Sequence, residues 1–249
     1  MLSGRCSLLN RPLRAELNLS AIRNNVRAIR AHFPDMPIFA VVKRDAYGHG
    51  LVPVAQALQQ EGVLHFAVAS LDEAVLLREA GVQGEILILG YTSPNQAPLL
   101  AHHRISQNIF CEEMWEEWKE AISTFPLFFH LKIDTGMNRL GWKNTAKLLQ
   151  KVQPFLPRLR SVFTHLPRAD EDWEYTVGQV NRFHRVSQPF AREKIPVHCV
   201  NSSFLIQSLH RGKKPPGNFL RLGILLYGVS PMQDNLLPLH PALSVKTHI

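Results

Sequence analysis

Eight short, β-rich apolar segments recur along the 249-residue chain. They are Pro37–Val42, Leu64–Ala69, Glu85–Leu89, Arg104–Phe110, Leu127–Ile133, Leu159–Thr164, Pro196–Cys199 and Phe219–Leu226. Most are apolar throughout rather than alternating, the pattern of a sheet buried on both faces. Helix-like segments lie between them. Leu51–Glu61 places Val54, Ala55 and Leu58 on one face. Ser70–Ala80 opens on Ser70 with Glu73 three residues on, a capping-box pattern, and Gly81 follows as a stop signal. Glu112–Ser123, Asn144–Val152 and Asp170–Glu193 also read as helices. Eight strands alternating with helices over roughly 200 residues predict an α/β fold of the (β/α)8 TIM-barrel type. An open doubly wound sheet is the alternative, weakened because no GxGxxG follows the first strand.

Two segments fall outside this count. Arg14–Leu19 and Ala242–Thr247 alternate like half-buried antiparallel strands and read as strands waiting for a partner sheet. The basic start, residues 1–13, lacks an apolar h-region and reads as an extension rather than a signal peptide. Apolar residues at 45% and charged residues at 19% support a sizeable core and argue against disorder. The longest apolar stretches, such as Gly223–Val229, are too short to span a bilayer. Cys6, Cys111 and Cys199 are widely spaced with no CxxC pair, so neither a zinc site nor a disulfide framework is indicated, and a reducing, cytoplasmic setting fits. The net charge of +8 raises nucleic-acid binding. The one tight basic group, His210–Lys214, has no interleaved aromatic residues and reads as a solvated loop. The positive field instead favours small anionic ligands such as phosphates and carboxylates.

Several expected strands end in residues suited to chemistry. FAVVKRDAYGHG, Phe39 to Gly50, ends an apolar run on Lys43 and breaks into a polar turn carrying Tyr47. A buried ammonium is costly unless paired, and the same burial makes a lysine a nucleophile toward an aldehyde; a strand-end lysine snorkelling to water is the plainer alternative. LKIDTGMNRLG, Leu131 to Gly141, carries Lys132, Asp134 and Arg139 but lacks the GK[ST] ending of a phosphate loop. Arg139 there suits a carboxylate or phenolic oxygen, or a loop-holding ion pair. His165 follows the strand of VFTHLPRAD, where a structural histidine is the commoner case, and no metal-ligand spacing surrounds it. His198 and Cys199 are neighbours on a strand and point to opposite faces, which argues against a metal pair. In HCVNSS and LRLGILLYG, Ser202 and the backbone around Gly223 suit a phosphate, at the place where barrels commonly bind one. A lysine for a Schiff base, a phosphate cradle and an arginine form a coherent set for pyridoxal 5′-phosphate, an electron sink for Cα carbanions.

With these motifs in order and spacing, the chain from Arg14 onward resembles the alanine racemases. AVVKRDAYGHG is similar to that family's cofactor-lysine motif, with Arg44 where a small or acidic residue is usual, and KIDTGMNRLG, the TH of VFTHLPRAD, the NS of HCVNSS and RLGILLYG also match. Leu222, where proline is usual, and Pro167–Arg168 are departures. The resemblance implies interconversion of L- and D-alanine, a peptidoglycan precursor, with Lys43 carrying the cofactor and exchanging the α-proton on the D-alanine side. It further implies that Tyr47, Asn201, Ser202, Gly223 and Ile224 hold the cofactor, and that Arg221 donates to the pyridine nitrogen. Arg139 would face the phenolic oxygen and the substrate carboxylate, Lys132 matches a lysine carbamylated in some members, and His165 would hydrogen-bond a second base.

In the family that second base is a tyrosine on a C-terminal β domain that reaches into the partner's barrel. On this reading residues 14–240 are the cofactor-binding barrel and 241–249 the start of a truncated β domain. Racemase turnover would then be impaired, and the family's homodimer weakened. The alternative is a non-catalytic pyridoxal-phosphate binding or homeostasis protein of the single-barrel type.

Overall fold

The structure, a computed structural model, describes residues 13–232 and 236–247. All of the expected N-terminal extension except Leu13, and the last two residues of the expected 241–249 segment, lie outside the described residues. After a first strand, β1 (Arg14–Leu17), the chain forms α1 (Leu19–His32) and then alternates strand and helix. The strands are β2 (Ile38–Val41), β3 (His65–Val68), β4 (Glu85–Ile88), β5 (Ile105–Ile109), β6 (Phe129–Lys132), β7 (Leu159–Phe163), β8 (Val197–His198) and β9 (Leu220–Leu222). All eight run parallel, β2 to β8 each beside its successor, with β9 beside β2. Arg221 N–H donates to Val200 O at 3.0 Å, and a Val200–Leu220 bridge joins β8 to β9, so the sheet closes into a (β/α)8 barrel.

The intervening helices are α2 (Leu51–Gln60), α3 (Leu71–Glu79), α4 (Ala97–His103), α5 (Glu112–Thr124), α6 (Leu148–Val152), α7 (Trp173–Arg192) and α8 (Ser202–His210). Two cores result. The larger lies between helices and sheet, and a smaller one fills the barrel with Phe39, Val41, Ala67, Leu87 and Phe163. No helix among the described residues is long and apolar enough to cross a membrane.

Several boundaries differ from the sequence reading for identifiable reasons. The last strand stops at Leu222, because Gly223 turns the chain into a 3-10 segment over Ile224–Tyr227. The helix expected over Asn144–Val152 begins only at Leu148, after Lys147 adopts φ 62°. The helix expected over Asp170–Glu193 starts at Trp173, where Asp172 caps it by accepting from Tyr175 N–H at 3.0 Å.

Helix α1 is an element the sequence pattern does not announce. Its charged residues dilute the apolar signal, although Ile22, Val26 and Ile29 all face the core. Buried Asn25 on the same face donates to Leu226 O at 3.1 Å and His240 O at 2.9 Å, and accepts from His240 N–H at 2.8 Å. That side chain ties the C-terminal segment to α1. The segment ends in β10 (Leu243–Lys246), which pairs antiparallel with β1. The two strands read as lacking a partner sheet are therefore partners of each other, in a ribbon whose Val245 is 66% exposed.

Candidate active site

Lys43 follows the carboxyl end of β2 and is half-buried. The polar turn after it is left-handed: Arg44, Asp45, Ala46 and Tyr47 all have φ between 52° and 56°. Left-handed backbone costs about 1–2 kcal/mol per non-glycine residue, so the surroundings must enforce it. Ala46 N–H donates to Val42 O at 2.8 Å, and Asp45 Oδ1 accepts from Leu51 N–H at 2.7 Å. The Glu73 carboxylate reaches across from α3 to accept from Asp45 N–H at 3.1 Å and Ala69 N–H at 2.8 Å. Ser70 caps α3 through Glu73 N–H as its sequence suggests, but the reciprocal carboxylate bond goes to Ala69 and the lysine turn instead.

Lys132 ends β6, and a loop rises from it. Asp134 Oδ1 accepts from Gly136 and Asn138 N–H at 2.9 and 3.1 Å, while Tyr175 and Arg182 donate to Gly136 O and Thr135 O at 2.6 and 2.8 Å. This pinned loop presents Arg139, which joins none of the described ion pairs, so the loop-holding alternative finds no acidic partner among the described residues. Arg221, on β9, is buried against the ring of Phe163 with 5.1 Å between guanidinium and centroid. It donates to Thr164 O at 2.6 Å and to His198 Nδ1 at 2.9 Å, and lies 3.4 Å from His165 Nδ1.

Ser202 begins α8, whose cap is Asn201. The Asn201 side chain accepts from Phe204 N–H at 2.9 Å and donates to Leu166 O at 2.7 Å, so both its polar ends are engaged in positioning this corner. Gly223 N–H donates to Ser202 Oγ at 3.3 Å.

These side chains converge on one cavity of about 450 Å³ at the carboxyl ends of the strands. Lys43, Tyr47, Lys132, Arg139, His165, Asn201, Ser202, Arg221, Gly223 and Ile224, each singled out in the sequence, all line it. Four of the lining residues are Lys or Arg and none is acidic. Burial acts on Lys43, Lys132 and Arg221, and neighbouring cations act on the two lysines as well. Burial, with Arg139 and Arg44 nearby, lowers the Lys43 pKa. Burial, with Arg139 and Arg221, takes Lys132 down to about 8, and burial takes Arg221 down to about 10. Burial and Arg221 hold His165 well below the ordinary histidine range, hence neutral.

The cavity is thus a built anion site with an amine whose pKa burial and cationic neighbours lower. One wall is shaped for close approach: a Cβ on Gly223 would stand 2.8 Å from Tyr47 Oη. The sequence does not single out Phe163, Leu89 or Gly90, which also line the cavity, because nothing local marks which strand residues face inward at the barrel mouth.

A family model described as "Alanine racemase, N-terminal domain" matches residues 17–231. The chain belongs to the alanine racemase family. An alanine racemase from Carboxydothermus hydrogenoformans is 38% identical over 251 residues, covering 96% of this chain and 67% of the relative. The solved alanine racemase of Clostridium difficile 630 superposes with a TM-score of 0.85 at 32% identity, covering 95% of this chain and 64% of that one. A histidine racemase from Leuconostoc mesenteroides subsp. sake matches with a TM-score of 0.79 at 29% identity, covering 96% and 66%. The chain spans about three fifths to two thirds of the length of the curated relatives it matches.

Proposed function

We propose that this chain is the pyridoxal 5′-phosphate-binding barrel of an amino-acid racemase acting on alanine, with Lys43 exchanging the α-proton on one face. The observation that carries the reading is a cavity with four cationic side chains, no acid, and an amine at its mouth whose pKa is depressed by burial. The residues fit the cofactor's chemistry. Lys43 offers an amine to the aldehyde; Tyr47, Ser202, Gly223 and Ile224 form the corner suited to the phosphate, with Asn201 fixing its geometry; Arg139 suits the phenolic oxygen and a substrate carboxylate; Arg221 offers a donor to the ring nitrogen. When bound, the cofactor supplies an electron sink for the pair left at Cα.

The chain's own residues do the rest. Lys43, depressed by burial and its cationic neighbours, is available as a base nearer neutral pH than a free lysine. Arg221, even at about 10, stays protonated at neutral pH and so acts as a fixed donor rather than a proton source. Lys132, at about 8, has an appreciable neutral fraction, the state in which an amine can take up carbon dioxide as a carbamate. His165 is held as a neutral ring beside Arg221.

A second reading, pyridoxal-phosphate binding without racemase turnover, applies to these residues taken by themselves. Racemisation removes a proton from one face and returns it to the other, yet of the four tyrosines only Tyr47 lines the cavity, at its phosphate corner. Tyr91, Tyr175 and Tyr227 instead donate to Glu117, to Gly136 O and to Val41 O. A positioned acid or base is worth about 10²–10⁴-fold in rate. We expect a weak D-alanine signal from this chain alone, rising on addition of a domain that supplies a tyrosine opposite Lys43.

The cofactor assignment is tested directly. Added pyridoxal 5′-phosphate gives a visible absorption band, borohydride bleaches the band and leaves the cofactor covalently attached to the protein, and Lys43→Ala abolishes both the band and the attachment. A band retained in the variant overturns the assignment. A coupled D-alanine assay then separates racemase from carrier, with D-histidine formation as the control for substrate class.

A further inference from the structure

Arg221 is one end of a buried chain that runs down the barrel axis to the opposite, amino-terminal end. Its Nη1 lies 2.9 Å from His198 Nδ1, His198 Nε2 lies 2.9 Å from Ser161 Oγ, Ser161 Oγ lies 2.6 Å from His130 Nδ1, and His130 Nε2 lies 3.2 Å from Glu85 Oε1. The four residues from Arg221 to His130 are each 5% exposed or less. Phe39 and Phe163 both stack on the His198 ring, at interplanar angles of 12° and 18°, which fixes its plane.

Chemistry fixes the two ends. A guanidinium only donates, and a carboxylate only accepts. With both rings neutral, one arrangement of protons satisfies all four links. Arg221 donates to His198 Nδ1, His198 Nε2–H donates to Ser161, Ser161 O–H donates to His130 Nδ1, and His130 Nε2–H donates to Glu85. A cationic His130 would turn a second donor toward Ser161 and leave its hydroxyl proton with no acceptor among its described partners. Every dipole in the chain points the same way, so the links reinforce one another.

Glu85 is held in turn. Ser106 Oγ–H also donates to it, and Arg160 Nε stands 3.8 Å away. These contacts have no evident purpose in a strand-start glutamate whose only task is solubility, because the carboxylate is drawn inward against the cost of burial.

We propose that Glu85, acting through His130, Ser161 and His198, is a remote positioning residue that sets the orientation of Arg221 at the cavity. The chain stands independently of any ligand. What Arg221 then meets, a ring nitrogen, rests on the proposed cofactor reading, and the two are separable by experiment.

Nitrogen-15 histidine NMR of the protein without added cofactor reads the chain itself. The expected result is that His130 and His198 are both neutral Nε2–H tautomers at pH 7, and that Glu85→Gln, which keeps the acceptor but removes the charge, shifts the His198 nitrogens. In a Ser161→Ala background the same substitution leaves His198 unmoved. Either ring cationic or in the Nδ1–H form, or a His198 response that persists in the Ser161→Ala background, overturns the proposal. Glu85→Leu, which removes the acceptor as well, is expected to shift His198 further, and a smaller shift than in Glu85→Gln counts against it.

With pyridoxal 5′-phosphate added, Glu85→Gln is expected to weaken binding by about tenfold, the scale of losing an orienting outer partner, and to move the visible band. Affinity and band both unchanged, with the NMR coupling intact, overturn the positioning role. Wild-type protein that binds no cofactor overturns the cofactor reading, while the NMR test of the chain still decides whether Glu85 polarises His198.

Discussion

Gly223 shows how a single atom decides what the cavity can hold. Its φ of −121° lies outside the left-handed region, so positive φ does not explain a glycine there. Space does: a Cβ would stand 2.8 Å from Tyr47 Oη and 3.3 Å from Tyr47 Cζ. In Gly223→Ala the tyrosine must swing off this wall. Cofactor titration should show affinity falling about tenfold or more, roughly one charge-assisted hydrogen bond, while the thermal midpoint of the unliganded protein changes little. Equal affinity in the variant would show that the Tyr47–Gly223 corner is not where the phosphate sits. Such residues are legible in the sequence because Lys43, Lys132, His165, Ser202 and Gly223 each end or follow a strand, and in this architecture strand ends share one face. The roles of Glu73 and His198 are not legible. Glu73 has the pattern of an ordinary helix cap, and its second task spans 28 residues to Asp45. His198 acts along the barrel axis, a direction that no local pattern encodes.

At the scale of elements, the left-handed turn is the costly part and the Glu73 carboxylate its clamp. Four consecutive non-glycine residues at positive φ cost about 4–8 kcal/mol by the per-residue figure, so the turn persists only through its anchors. Glu73→Ala removes the acceptor of two backbone N–H groups, those of Asp45 and Ala69. The expected loss is about 2–3 kcal/mol in denaturant unfolding, with faster amide exchange at Asp45 and its neighbours than elsewhere in the barrel. Glu73→Gln, which keeps one acceptor, should recover part of it. Uniform exchange across the barrel in Glu73→Ala would show that the turn does not depend on this side chain. The eight barrel strands are readable because most are compact apolar runs, although β5 carries Ser106, Gln107 and Asn108 at its centre. Helices α1, α4 and α8 are not, since α1 is charged, α4 short, and α8 merges its Asn201 cap with a strand-end polar cluster. The β1–β10 pairing joins residues more than 220 apart, so each strand looks solitary in the sequence.

For the molecule as a whole, the balance of charge in the cavity sets how stability responds to solution conditions. Lys132 falls from 10.5 to about 8 on folding, chiefly through burial and then through Arg139 and Arg221, a cost of about 3 kcal/mol while it is charged in both states. The folded pKa lies below the unfolded one, so between about pH 8 and 10.5 the unfolded chain binds the extra proton, and stability rises with pH across that window. Below about pH 8 the cost is present in full. Lys43 and Arg221 are lowered as well and act in the same direction. Urea midpoints should therefore increase from pH 8 toward 10, and Lys132→Met should raise the midpoint at pH 7 and flatten that slope. The same repulsion makes any anion seated among these side chains stabilising. Inorganic phosphate at about a hundred times its dissociation constant should add about 2.7 kcal/mol, which for a chain of this size is a rise of about 5–10 °C in Tm. Sodium chloride at matched ionic strength screens the cations without bridging them and should give much less. Equal gains from the two salts would mean that the four cations do not converge on a single anion, and the cavity would lose its strongest claim to a phosphorylated cofactor.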